Sequence, residues 1–305
     1  MTARRGAALY ERLTGVYTVF LTPLTGDLRV DLDAAEGNAD HLIRHGVHGL
    51  VVSGIYGEYF TLSDAERLEM LRRVVRAAAG RVPVIATTSG GSTAQVVEET
   101  LRAEAAGADG AMITPPYGVI EPTEAGFVAH FEGVARGTSA ALLLYNNPNL
   151  VGGLGPELLA RLAEIDGYVG VKQGAVTFGE HADLVALAGS KLRVFSGSDQ
   201  SMVGSLALGA VGVSSTQSNF IPEIIRATYD AMCAGDLAEA RRQFGRWAEF
   251  RRFARRVGQP AAAKAAVELL GRRCGGVRAP LIPLTAAQRS ELAGILERME
   301  LAVHA

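Results

Sequence analysis

The sequence predicts an α/β protein, a (β/α)8 TIM barrel with a C-terminal helical extension. Three observations carry that expectation. Eight short, apolar, β-branched runs alternate with longer segments of helical periodicity. The runs are continuously apolar rather than alternating, as strands covered on both faces of a parallel sheet are. The chain has 305 residues, a length that one closed barrel commonly takes.

The strand-like runs lie at residues 16–21, 49–53, 82–87, 110–114, 140–145, 168–172, 192–196 and 211–214. Between them, residues 32–45, 64–79, 93–106, 123–136, 156–165, 178–187 and 200–208 carry apolar side chains at three- and four-residue spacing. Each therefore reads as a helix with one buried stripe. Ser63 with Glu66 makes a capping box, and Ser92 with Gln95 resembles one. Gly46, Gly80, Gly107 and Gly209 stand where helices should end. A doubly wound open sheet is the alternative arrangement. Against it, Thr22-Pro23-Leu24 follows the first run where a glycine-rich dinucleotide fingerprint would stand.

After the eighth run, residues 222–234, 237–256, 260–270 and 286–301 read as four more helices, the last opened by the pair Thr285 and Gln288. No linker or low-complexity segment divides the chain. The expected organisation is one domain, with a barrel over 1–220 and a helical extension of it over 221–305.

Hydrophobic residues make up 48% of the chain and the formal net charge is −2. That balance suits a large buried core and gives no reason to expect a nucleic-acid or anionic-membrane partner. The densest basic run, Arg251, Arg252, Arg255 and Arg256, has the spacing of one helix face, a solvated or subunit-facing stripe. Cys233 and Cys274 lie far apart and outside metal-ligand spacing, which suits a reducing compartment. No signal-peptide core follows Arg4 and Arg5, and no apolar stretch is long enough to span a membrane. A cytoplasmic protein is expected.

In a barrel, chemistry sits at the C-terminal ends of the strands. Lys172 ends the sixth run, after Tyr168-Val169-Gly170-Val171, and only three of the thirty basic residues are lysines: Lys172, Lys191 and Lys264. An amine among apolar walls loses solvation for its charge, which makes it nucleophilic toward carbonyls. The alternative is a lysine that snorkels to solvent at a strand end. Tyr145 ends the neighbouring fifth run, and a phenol beside an amine can carry the protons that imine formation needs. A core tyrosine with a satisfied hydroxyl is the plain alternative.

The turn Gly54-Ile55-Tyr56-Gly57-Glu58 offers backbone N–H groups to a carboxylate. Glu58 reads either as a general base or as a structural carboxylate that ties the loop down. His41, His45 and His48 cluster at the opposite end of the barrel, away from chemistry. Asp199 reads as a helix cap, and Trp247 as packing.

These residues resemble the dihydrodipicolinate synthase/N-acetylneuraminate lyase family of class I, Schiff-base-forming aldolases, as a divergent member. The resemblance runs from Gly15 to about Glu300. Its motifs are Gly54-x-x-Gly57-Glu58, Thr114-Pro115-Pro116-Tyr117, Tyr145-Asn146-x-Pro148, Gly170-Val171-Lys172, Gly197-Ser198-Asp199 and Arg278-Ala279-Pro280-Leu281. It implies a lysine, Lys172, that forms an imine with pyruvate or a related 2-oxo acid, and a tyrosine, Tyr145, that shuttles protons. It also implies substrate binding by Ile55, Tyr56, Gly57 and Tyr117, and by the backbone carbonyl of Ser214. Tyr117 would lie near a subunit interface in a homo-oligomer, a dimer or tetramer. No metal and no organic cofactor is implied.

Four positions depart from the family pattern. Ile55 and Tyr56 stand where the family usually has hydroxyl residues, often two threonines, one of which belongs to a proton relay. Leu150 stands where a true dihydrodipicolinate synthase has an arginine for its second substrate's carboxylate. Gln173 replaces an acidic residue. The expectation is a carbon–carbon or carbon–oxygen lyase acting on a 2-oxo acid, and not a true dihydrodipicolinate synthase. A dehydratase, hydratase-aldolase or deaminase of the same fold stays open, as does a non-catalytic 2-oxo acid-binding protein. A barrel enzyme for phosphorylated sugars is a further alternative.

Overall fold

The computed structural model describes residues 5–118, 123–149 and 153–304. A short helix, α1 (Ala7–Arg12), leads into alternating strands and helices. In order these are β1 (Gly15–Val19), α2 (Leu32–Arg44), β2 (Gly49–Val52), α3 (Asp64–Ala78), β3 (Val84–Thr87), α4 (Thr93–Ala105), β4 (Gly110–Ile113), α5 (Glu124–Gly137), β5 (Leu142–Asn146), α6 (Pro156–Leu162), β6 (Tyr168–Gln173), α7 (Phe178–Ala188), β7 (Arg193–Ser196), α8 (Met202–Ala207) and β8 (Gly212–Ser215). Then come α9 (Pro222–Cys233), α10 (Leu237–Arg246), α11 (Ala248–Val257), α12 (Gln259–Leu269) and α13 (Ala286–Arg298). The strands follow one another in chain order round a closed barrel. Every expected strand is present, within two residues of its expected ends.

Contacts group the chain into two compact units. One holds residues 1–15 and 83–214. Its outer layer is a continuous apolar cluster in which Leu142, Leu144, Val171 and Val194 of the strands meet Val96, Phe131, Leu159 and Leu184 of the helices. Burying each such side chain contributes roughly 1.5–3 kcal/mol. Tyr168 belongs to this layer. Its ring meets Phe131 edge-on and its hydroxyl donates to the Phe131 carbonyl at 3.0 Å. Burial pushes that phenol's pKa up, so it stays a neutral donor.

The other unit holds residues 16–82 and 215–305, so the C-terminal helices share a compact body with β2, α2 and α3. The capping box of Ser63 and Glu66 opens α3, and that of Thr285 and Gln288 opens α13. The expected helix over 237–256 is two helices, broken at Trp247. Trp247 is fully buried, and Arg251 donates to the Phe244 carbonyl at 2.7 Å at the break. The Arg251 guanidinium also lies 4.2 Å from the Phe244 ring centre and 4.3 Å from that of Trp247. Arg251 is thus packed, while Arg252, Arg255 and Arg256 are exposed as a solvated stripe would be. Among the described residues, no helix is long and apolar enough to cross a membrane.

Candidate active site

Tyr145 on β5 and Lys172 on β6 are register partners in the parallel ladder. A bulge in β6 brings them there. Leu142 pairs with Tyr168 but Leu143 pairs with Gly170, so Val169 is the extra residue. Beyond the bulge Leu144 and Val171 both face the helices, in the apolar cluster. Alternation then turns Tyr145 and Lys172 to the inner face. Both are buried, at 5% and 4% exposure. The Lys172 Nζ lies 4.3 Å from the centre of the Tyr145 ring. An amine and a phenol at this spacing can exchange protons with one bound carbonyl compound between or beside them.

The next residue on each strand points the other way. Asn146 Nδ2 donates to Gln173 Oε1 at 3.0 Å and to the Leu154 carbonyl at 2.9 Å, while its Oδ1 accepts from the Leu154 N–H at 3.0 Å. A neutral Gln173 suits this packing, since it offers an acceptor to Asn146 without burying a charge. Gly197 then packs on the end of β6, its N–H donating to the Gln173 carbonyl at 2.8 Å. A Cβ at position 197 would lie 2.8 Å from that same oxygen, so only glycine fits. The Tyr145 hydroxyl accepts from Asn147 Nδ2 at 3.2 Å, a contact that sequence reading missed. In this same unit Ser214 and Thr114 are buried, and their hydroxyl oxygens have no hydrogen-bond partner among the described residues. Tyr117 lies in the loop after β4 and is 40% exposed.

The glycine turn follows β2 as a 3-10 turn over Ile55–Gly57. Ser53 and Glu58 flank it in the left-handed region, at φ 58° and 62°. A Cβ on Gly57 would lie 2.7 Å from the Phe20 carbonyl oxygen, and the Gly57 carbonyl accepts from Thr22 Oγ1 at 2.6 Å. Ile55 is half-buried and Tyr56 is 39% exposed. Glu58 takes the structural role. It is fully buried and accepts from Lys264 Nζ at 2.9 Å and from the Arg278 N–H at 3.4 Å. Sequence reading missed Lys264. The signal was a lysine set in the apolar run Ala261-Ala262-Ala263-Lys264-Ala265-Ala266, which can be buried only with a partner.

Other candidates fall away from this chemistry. His41 and His45 stack at 3.8 Å at the end of α2, and burial holds His41 down to about 4. His48 Nδ1 accepts from the Val16 N–H at 3.0 Å. Asp199 is not the cap expected of it. Ser198 caps, accepting from the Gln200 N–H, and Asp199 begins the turn as a buried residue. Leu150 lies outside the described residues. Among the described residues, no group of three or more His, Cys, Asp and Glu is placed to hold a metal ion.

The sequence matches the Dihydrodipicolinate synthetase family over residues 12–299. The chain belongs to the dihydrodipicolinate synthetase family. A 4-hydroxy-tetrahydrodipicolinate synthase of Sorangium cellulosum is 40% identical over 291 residues, covering 94% of this chain and 96% of that one. A second, from Parasynechococcus marenigrum, is 38% identical and covers 91% and 92%. Among solved structures, the dihydrodipicolinate synthase of Aquifex aeolicus superposes with a TM-score of 0.91 at 27% identity, over 96% of this chain and all of that one. YagE of Escherichia coli K12, a family member solved with pyruvate, gives 0.89 at 28%, over 95% and 99%. Family membership makes this dihydrodipicolinate synthetase relative a lyase of the Schiff-base aldolase type.

Proposed function

We propose that the protein makes or breaks a bond at the carbon next to the ketone of pyruvate, or of a closely related 2-oxo acid, through an imine on Lys172. The observation that carries this reading is the buried pairing of Lys172 with Tyr145, amine to ring centre 4.3 Å. The neutral amine attacks the C2 carbonyl and gives a carbinolamine. Tyr145 gives its proton to the carbonyl oxygen as the carbinolamine forms, takes one back from the amine nitrogen, and gives that one to the departing hydroxyl. Water leaves, a protonated imine remains and Tyr145 is left as the phenolate that can take the C3 proton. The imine draws electrons from C3. Loss of a C3 proton, or cleavage of the C3–C4 bond, gives an enamine that an electrophile or a proton then quenches.

In this reading the backbone of Ile55, Tyr56 and Gly57 holds the substrate carboxylate, and the Ser214 carbonyl lines the imine site. Backbone donors do not depend on which side chains stand at positions 55 and 56. Pyruvate is supported by YagE and by the Acinetobacter baumannii dihydrodipicolinate synthase, each solved with it. We further propose a homo-oligomer in which Tyr117 lies near a subunit interface.

The names of the relatives favour 4-hydroxy-tetrahydrodipicolinate synthesis. Leu150 favours an acceptor without the carboxylate that an arginine there would hold, because an unpaired buried carboxylate costs several kcal/mol. We propose the second. The test is to offer pyruvate with aldehydes that do and do not carry a distal carboxylate, and to offer 2-oxo acids alone, reading products by mass. Condensation with carboxylate-free aldehydes, absent in Lys172→Ala, is the expected result. Condensation only with a carboxylate-bearing aminosemialdehyde restores the synthase role. Water loss from a 2-oxo acid without pyruvate release marks a dehydratase, and binding without turnover marks a sensor.

A further inference from the structure

Asn147 sits between Asn146 and Pro148 in the Tyr145-Asn146-x-Pro148 motif, at the position the motif leaves open. Its backbone is fixed on both sides. The Asn146 carbonyl accepts from the Gly174 N–H at 2.9 Å, and the Asn146 side chain is fully engaged with Leu154 and Gln173. On the other side the Pro148 ring restricts the chain. The half-buried Asn147 side chain makes two hydrogen bonds. Its Oδ1 accepts from the Asn149 N–H at 3.1 Å, and its Nδ2 donates to the Tyr145 hydroxyl at 3.2 Å.

The first bond decides the sense of the second. A backbone N–H can only donate, so the Asn147 oxygen must face Asn149 and the amide NH2 must face Tyr145. The phenolic oxygen is then an acceptor in that contact. Its single proton is left to donate in another direction, with the Lys172 amine on the face of the same ring.

We propose that Asn147 is the positioning residue for Tyr145, orienting the phenol's proton toward the imine site and stabilising the phenolate left when that proton departs. This rests on the Schiff-base reading above. Asn147 is a donor held in place by the chain that follows β5. An amide donates but does not relay. The proton Tyr145 gives must therefore come back from the substrate side or from solvent.

Asn147→Asp separates this role from loop-holding. The aspartate keeps an oxygen for the Asn149 N–H but has no N–H for Tyr145, and its charge opposes a phenolate. The measurement is the rate of imine formation with pyruvate, quenched with borohydride and weighed, across pH, beside the KM for pyruvate. We expect the rate to fall about ten- to a hundredfold, the loss expected for one hydrogen bond to a charged oxygen. The limb of the pH profile that needs a deprotonated group should move to higher pH, with KM little changed. Asn147→Ala supplies the same comparison if the aspartate variant does not fold. A wild-type rate and pH profile in Asn147→Asp overturns the proposal while leaving the Schiff base intact. A change in KM alone also overturns it. No adduct in the wild-type protein sinks the Schiff-base reading itself, and this inference with it.

Discussion

Glu58 and Lys264 form an ion pair 2.9 Å long with each side chain only 1% exposed. Glu58 closes the glycine turn and Lys264 sits among alanines in the middle of α12, so a charge pair fastens the turn to the C-terminal helices. Removing one member leaves the other charged and buried. Lys264→Met should cost about 3–5 kcal/mol. The double variant Glu58→Gln with Lys264→Met should recover a large part of that loss. Urea unfolding of the two variants checks both statements, and a double variant that loses as much as Lys264→Met, or more, would contradict the recovery.

Gly57 and Gly37 should respond to alanine with opposite signs. A Cβ at 57 meets the Phe20 carbonyl oxygen at 2.7 Å, and backbone does not swing aside. Gly57→Ala should lose about 1–3 kcal/mol and raise the KM for pyruvate. Gly37 lies within α2 with nothing within 4 Å of its missing Cβ. Gly37→Ala should gain about 0.5–1 kcal/mol. Urea midpoints of the two variants give the comparison.

Stability should carry a signature of Glu66 in acid. Hydrogen bonds from Arg278 hold the Glu66 carboxyl down to about 2 from an ordinary 4.5. A carboxyl lowered in the folded state stabilises above its unfolded pKa and loses that contribution as protons bind. The stability difference between wild type and Arg278→Met should therefore be full above pH 4.5 and shrink as pH falls toward 2. Urea midpoints measured at pH 6, 4.5 and 3 check this, and a difference independent of pH would contradict it.

Tyr145→Phe keeps the ring beside Lys172 and removes the hydroxyl proposed to carry the proton. Imine formation with pyruvate should slow by about a hundred- to ten-thousandfold, while the protein's melting temperature changes little. Stopped borohydride trapping measures the rate. A loss of less than fivefold would mean that another group carries the proton.

The strands and the Lys172–Tyr145 neighbourhood were legible because parallel strands are apolar runs and both residues stand at strand ends. What escaped were pairings that join distant parts of the sequence. Lys264 meets Glu58 across 206 positions, and no local spacing encodes that. Asn147 escaped for the opposite reason. It lies two residues from Tyr145, but only the chain path after β5 turns its amide back onto the phenol. The break at Trp247 was hidden because apolar spacing runs on through it, while burial of the indole and the reach of Arg251 interrupt the helix.

Of the three lysines, Lys172 is the one proposed to bond to the substrate. Incubation with pyruvate and borohydride, followed by weighing and peptide mapping, locates the bond. One reduced pyruvate adduct per chain is expected, located on Lys172 and absent from Lys172→Ala. An adduct on Lys191 or Lys264 instead, or none with any 2-oxo acid, would contradict it.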